Sequence, residues 1–272
     1  MRVIITGAAG QIGREMVDEL SDSHELRLID RSPVPGRVSC VADLASLRAT
    51  SGWLRRFGSR SGQWTELFEG ADAVLHLAAE PSPMAIWKQV LHDNIQATCN
   101  VIDVAARLRI RRVVYASSVL AVEALERELA PACYSADGPK IGSEVSPRPL
   151  TPYGVSKATG ELIGRMFVDG GKLASFLAVR IGHYQRGEPK SEQLRRLWVR
   201  AGDLRRLLRR CLEAHVEGFH VVYGISGQPM NPFDLSHTRR LLSWDPQRLA
   251  EGPEPETEAV RIRPSATSTL PR

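Results

Sequence analysis

The stretch "VIITGAAGQIGREM" (residues 3–16) decides the fold. A β-branched apolar run ends at Thr6, and Gly7, Gly10 and Gly13 then lead into a helical pattern. The spacing is G-x-x-G-x-x-G. One glycine permits a tight turn, another lets the backbone approach a pyrophosphate, and a third lets the helix pack closely on the strand. The start of the helix, at Gln11 and Ile12, offers free N–H groups and a partial positive charge to phosphates. Three glycines in a turn are common, so the surroundings must carry the reading. The next strand pattern ends in Asp30, 17 residues beyond Gly13. A carboxylate there accepts hydrogen bonds from both ribose hydroxyls and repels a 2′-phosphate, which favours NAD over NADP. Arg31 follows directly and softens that preference.

Outward from this loop, short apolar runs alternate with helical periodicity. Strands are expected at 2–6, 26–30, 38–42, 73–78, 112–117, 176–181 and 220–224, and helices at 11–20, 84–108, 152–168 and 203–214. Several runs are apolar almost throughout, as parallel strands covered on both faces are. The alternation predicts an α/β fold, a Rossmann-type doubly wound parallel sheet with right-handed crossovers. The expected organisation is an NAD-binding domain over 1–178 that carries the catalytic residues, a small substrate-binding region over 179–250, and a disordered tail over 251–272. Residues 48–69, rich in Arg, Ser and Gly, read as a surface insertion, and 123–150 as a long binding loop or lid.

The chain has 272 residues, enough for one large α/β domain with a small appendage. Its formal net charge of +5 is too mild to mark a nucleic-acid binder. Cys40, Cys99, Cys133 and Cys211 are scattered, which predicts reduced thiols and neither a disulfide framework nor a metal site. The N-terminus has no signal-peptide pattern, and no apolar run reaches the ~20 residues of a membrane helix. A cytoplasmic protein is expected.

The segment "TPYGVSKATGE" (151–161) places Tyr153 and Lys157 on one helix face, with Gly154 leaving the approach open. A free tyrosine, with a pKa of about 10, is a poor base at neutral pH. A neighbouring ammonium favours the phenolate and is expected to lower that value. The pair then exchanges a proton with a substrate hydroxyl, and Lys157 also holds the nicotinamide ribose. Strand 112–117 runs into Ser117 and Ser118. Parallel sheets place their ligand crevice at such strand ends. Ser118 is therefore the candidate for orienting the substrate oxygen, and Ser117 its neighbour near the cofactor.

With these residues in order, the chain resembles the extended short-chain dehydrogenase/reductase family of the NAD-dependent epimerase/dehydratase type. The matching pieces are "TGAAGQIG" (6–13), "LID" (28–30), "ADL" (42–44), "HLAA" (76–79), "DNIQATCNVIDVA" (93–105), "VVYASS" (113–118), "YGVSK" (153–157) and "VRIG" (179–182). Within the family it most resembles uronate dehydrogenases. The resemblance implies that Asp43 and Leu44 flank the adenine, that Ala78 and Ala79 line the pyrophosphate–ribose region, and that Asn94 braces the loop after the fourth strand. It also implies a sugar or sugar-acid substrate, oxidised at a hydroxyl-bearing carbon, and a homodimer formed through the two long helices. For a uronate the reacting carbon would be C1 and the product a lactone.

The uronate pattern fails at three positions. Asn-His typically follows the catalytic serine, whereas Val119 and Leu120 stand here, and His183 replaces a serine. His183 and Ser82 are candidate substrate contacts, each with an equally good structural reading. Arg195 and Arg196 precede the helix at 203–214 and are candidates for gripping a carboxylate or phosphate. In that helix Asp203 suits an N-cap. Leu204, Leu207, Leu208, Cys211 and Leu212 form its apolar face, and Arg205, Arg206, Arg209 and Arg210 are expected in solvent. The alternative readings are a nucleotide-sugar epimerase, which needs a larger C-terminal domain, and a non-catalytic NAD-sensing binder, which needs no tyrosine base.

Overall fold

The computed structural model describes residues 1–46, 63–226 and 230–246. In chain order its elements are β1 (Arg2–Thr6), α1 (Gln11–Leu20), β2 (Glu25–Asp30), β3 (Cys40–Val41), β4 (Ala73–His76), α2 (Trp87–Val90), α3 (Ala97–Arg107), β5 (Arg112–Ser118) and α4 (Glu123–Leu129). There follow α5 (Pro152–Asp169), β6 (Ser175–Ile181), β7 (His183–Tyr184), α6 (Glu192–Arg196), β8 (Trp198–Val199), α7 (Ala201–Glu213), β9 (Gly218–Gly224) and α8 (Ser236–Leu242).

Seven strands form one sheet in the order β3-β2-β1-β4-β5-β6-β9, and every neighbouring pair is parallel. β5 and β6 are buried along their whole length. This is why their sequences are continuous apolar runs with no alternation. On one face Met16, Val17 and Leu20 of α1 join Leu204, Leu207 and Leu208 of α7 in a core. On the other, Val101, Ile102 and Ala105 of α3 pack with Trp64, Phe68 and Phe176. A third cluster, with Val122, Ile141, Tyr223 and Phe233, fastens the segment after β5 to the residues after β9. The order reverses between β1 and β4, so the chain diverges there at the carboxyl ends of the strands and leaves a crevice.

Several expectations are corrected in detail. The strand expected at 38–42 is only Cys40–Val41, and the one at 73–78 stops at His76. The helix expected over 84–108 begins at Trp87 and widens into a π-helical stretch at Leu91–Gln96 before α3. Of the insertion expected at 48–69, residues 47–62 lie outside the described residues. Gln63–Phe68 form a 3-10 helix whose Trp64 and Phe68 are buried in the core. The segment 123–150 is partly helical, and Ile141 bridges to Phe233. The tail 251–272 lies outside the described residues. The strand β9 extends the same sheet as β6, so the region after 178 shares the central sheet.

Helix α7 starts at Ala201, and its N-cap position is Arg200, not Asp203. Asp203 is instead a buried anchor, accepting hydrogen bonds from Arg200 Nε (3.0 Å), Arg206 Nη2 (2.6 Å) and Ser226 Oγ (2.7 Å). Arg205 and Arg209 are half-buried against α1, paired with Glu15 and Glu19, so two of the four arginines expected in solvent form a seam between helices, while Arg210 is exposed as expected. Among the described residues no helix is long and apolar enough to cross a membrane.

Candidate active site

The strand ends open on a cavity of about 810 Å³ that runs from the glycine loop to the N-terminus of α5. At its first end the backbone makes the site. Gly7 has φ +72°, and a Cβ there would sit 2.6 Å from the Ala78 nitrogen. A Cβ on Gly13 would collide with the Gly7 carbonyl. The loop therefore lies against its neighbours as a bare backbone, and no side chain stands between the cavity and the start of α1. Asp30 is fixed at the wall: its carboxylate accepts from Ala9 N and Ser32 N, both at 3.0 Å. Arg31, on the same wall, pairs with Asp93 at 2.9 Å. Gly10, Gln11, Ile12, Asp43, Leu44, Ala78 and Ala79 all border the same space. Asn94 lies behind it. Its side chain binds both the N–H (2.7 Å) and the carbonyl (3.2 Å) of Glu80 and donates to Ser156 Oγ (2.8 Å), so it braces the loop after β4.

At the other end, α5 begins with Thr151 capping Gly154 N (3.0 Å) and Pro152 in the first turn, the preferred arrangement for a helix start. Gly154 is required by packing, since a Cβ would lie 2.5 Å from the Leu120 carbonyl. This close approach brings Tyr153 to the cavity beside Ser118, whose hydroxyl accepts from Leu120 N at 3.2 Å. Lys157, one turn later, is buried and donates to the Ala116 carbonyl at 2.8 Å.

Burial governs the titration of this group of residues. It pushes the Tyr153 phenol up to about 12; the neighbouring Ser118 hydroxyl acts against the rise, and the charge of Glu80 adds to it. The expected lowering by Lys157 is not what this geometry gives. The ammonium faces the Ala116 carbonyl, and its Nζ is 5.5 Å from the Tyr153 ring centre. Burial also lowers Lys157 to about 8. Beneath Lys157, His76 is fully buried between Thr6 Oγ1 (2.7 Å) and Thr98 Oγ1 (2.9 Å). Burial first, and the Lys157 charge second, lower its pKa to about 3, so it stays neutral.

Ser117 also borders the cavity, and its hydroxyl is engaged by a buried carboxylate. It donates to Glu161 Oε1 at 2.5 Å, and Arg180 clasps the same carboxylate through Nε (3.0 Å) and Nη2 (2.8 Å). Arg180 also donates to Tyr223 Oη (3.2 Å), which donates to the Gly142 carbonyl (3.1 Å). This buried chain ties α5, β5, β6, β9 and the 142 loop together. The sequence reading missed Glu161 and Arg180. The signals were a carboxylate one turn beyond Lys157 on the same helix face, and a lone arginine inside an apolar strand.

The candidate substrate contacts fall differently. His183 borders the cavity, with its Nε2 3.0 Å from Gln185 Oε1. Ser82 does not border it; its hydroxyl accepts from Met84 N at 3.2 Å, while Pro81 and Pro83 on either side do line the wall. Arg195 and Arg196 do not line it either. Arg195 pairs with Glu188 at 3.0 Å, and Arg196 pairs with Glu192 at 2.6 Å and lies 4.3 Å over the Tyr134 ring. Their neighbours Leu194 and Leu197 face the cavity instead.

Comparison with known proteins agrees with this arrangement. Residues 3–192 match the model of the NAD dependent epimerase/dehydratase family. The chain is 32% identical over 258 residues to NAD-dependent glucose-6-phosphate dehydrogenase of Haloferax volcanii, covering 90% of this chain and 92% of that one. It is 31% identical to L-arabinose 1-dehydrogenase (NAD(P)(+)) of the same organism, covering 90% and 96%. The crystal structure of uronate dehydrogenase from Agrobacterium tumefaciens superposes with a TM-score of 0.72 at 30% identity, covering 91% of this chain and 84% of that one.

Proposed function

The chain belongs to the NAD dependent epimerase/dehydratase family, and from that premise we propose that it is an NAD-dependent dehydrogenase acting on a hydroxyl-bearing carbon of a sugar or sugar acid. The observation that carries this reading is the single cavity joining the glycine loop and Asp30 to Ser118, Tyr153 and Lys157. The bare backbone of residues 7–13 would hold the pyrophosphate, Asp30 the adenosine ribose hydroxyls, Asp43 and Leu44 the adenine side, and Lys157 the nicotinamide ribose. NAD, when bound, accepts the hydride. Ser118 orients the substrate hydroxyl, and Tyr153 takes its proton. With the phenol near 12, Tyr153 starts as a neutral hydrogen-bonding group, and its phenolate must be stabilised as the proton moves. The buried Lys157, protonated below about 8, supplies the nearby positive charge.

Dehydrogenase chemistry is favoured over epimerisation because the relatives above, at 30% identity or more along most of their length, are dehydrogenases. The deciding experiment is NADH production with Tyr153→Phe beside the parent chain. The variant is expected to bind NAD normally and to lose on the order of 10²–10⁴ in turnover; near-normal turnover would remove Tyr153 from the mechanism.

We also propose a homodimer. Ile86, Trp87 and Leu91, with Leu162 and Met166 of α5, leave large apolar side chains exposed on adjacent helices, and a second copy would cover them. Light scattering should give twice the chain mass. The free thiols at all four cysteines fit a cytoplasmic setting.

A further inference from the structure

We propose that Asp93 is a positioning residue for cofactor choice: by holding Arg31 it keeps that guanidinium from receiving the 2′-phosphate of NADP, and so favours NAD. The inference rests on the dehydrogenase reading above and deepens it at the cofactor end of the cavity.

By its place in the chain Arg31 is suited to the opposite task. It follows Asp30 directly, and both residues border the cavity. The 2′-phosphate of NADP replaces one of the ribose hydroxyls that Asp30 would hold, so it would enter beside these two residues. Arg31 is the only arginine among the described residues that border the cavity, and Lys157 is buried at the other end against the Ala116 carbonyl. A free guanidinium in this position would bind a phosphate through paired N–H groups.

That guanidinium is already engaged. Its Nη1 donates to Asp93 Oδ1 at 2.9 Å, and the Asp93 side chain is only 13% exposed, so solvent screens its charge poorly. Asp93 is itself held in place. It lies in the π-helical stretch Leu91–Gln96, next to Asn94, whose side chain clamps the Glu80 backbone and reaches Ser156. The same Oδ1 lies 2.7 Å from His92 Nδ1, and His92 Nε2 lies 3.4 Å from Asp43 Oδ2. Asp43 is fixed in turn, its Oδ1 accepting from Ala45 N at 2.9 Å. The chain Arg31–Asp93–His92–Asp43 therefore ties the segments after β2, β3 and β4 around the cofactor end. Asp30, Asp43 and Asp93 all border the cavity there, against the single arginine. A 2′-phosphate would meet these carboxylates and would gain Arg31 only by displacing Asp93, which is discrimination by an unfavourable alternative. The Arg31 side chain is half-exposed, so the effect is severalfold and not absolute.

The test is calorimetric titration of the full chain with NAD and with NADP, with no sugar present. Asp93→Ala is expected to tighten NADP about three- to tenfold and to change NAD by less than about twofold. Asp93→Asn, which keeps the side-chain volume, should move NADP in the same direction, and it carries the test if the alanine variant does not fold. An unchanged ratio of the two Kd values, or an equal weakening of both cofactors, overturns the inference and leaves the dehydrogenase reading standing. Adding Arg31→Ala to Asp93→Ala is expected to abolish the gain. A gain that survives in the double variant comes from lost repulsion alone and overturns the role given to Arg31. A parent chain that binds neither cofactor overturns the dehydrogenase reading and the inference with it.

Discussion

The two ends of the cavity are built by different means. The cofactor end is built around one contiguous stretch, residues 7–13, whose working groups are backbone N–H groups exposed by missing side chains, with Asp30, Asp43, Leu44, Ala78 and Ala79 set around it. The substrate end is assembled from four separate places: the loop after β4, the residues after β5, the start of α5, and the segment 181–197. A site made of backbone needs only a permissive sequence. A site made of side chains depends on which way each chain segment turns, and that is set by packing partners far along the chain.

Lys157, at the joint between the two ends, offers the largest test of this contrast. Lys157→Met should lower turnover by about 10²–10⁴ while raising thermal stability. The folded-state pKa of Lys157 is lowered from 10.5 to about 8, so the unfolded chain holds its proton more tightly. The cost of burying that charge is therefore fully present below pH 8 and fades as pH rises toward 10.5. The stabilisation of Lys157→Met over the parent should follow the same course in melting curves between pH 7 and 10.5; a gain that is constant with pH would contradict the burial argument.

Glu161→Gln breaks the chain that holds the substrate end in shape. Glu161 and Arg180 are both buried, and removing one charge strands the other, so a loss of about 3–5 kcal/mol in denaturant unfolding is expected. A cost below about 1 kcal/mol would show that the clasp is dispensable. At the cofactor end, Asp30→Ala should move the NAD-to-NADP preference about tenfold toward NADP, a typical value for one lost charge-assisted contact. An unchanged ratio of kcat/KM for the two cofactors would refute its role. The smallest effect is expected at Arg195. Its partner Glu188 is half-exposed, and exposed pairs contribute about 0–1 kcal/mol. Arg195→Ala should leave KM and Tm nearly unchanged, and a rise in KM would return this arginine to the substrate site.

How much of this was legible follows the same division. The helix at 11–20, the central strands, Asp30 at the end of β2 and the Tyr153/Lys157 pair were all readable, because each depends on local spacing or on a continuous apolar run. The placing of Ser82, Arg195 and Arg196 was not, since a turn of one or two residues decides whether a side chain faces the cavity or a neighbouring carboxylate. Trp64 and Phe68 were hidden for a similar reason: a polar, glycine-rich approach masks a short helix that docks on the core. The direction of the Tyr153 shift was also out of reach. Spacing on a helix shows that a lysine is near, but not that burial of the phenol decides the direction while the ammonium faces the Ala116 carbonyl.

The sequence by itself determined a doubly wound parallel sheet, a dinucleotide cradle and a tyrosine–lysine pair, because periodicity, glycine spacing and a one-turn separation are local properties of the chain. Only the tertiary structure decided that the Ser117 hydroxyl is tied to Glu161, that Asp203 is a buried anchor and not a cap, and that Arg195 and Arg196 pair with Glu188 and Glu192 and do not line the cavity. Those outcomes depend on desolvation and on partners distant in sequence: burial fixes which charges must be paired, and the pairing fixes which side chains remain for a substrate.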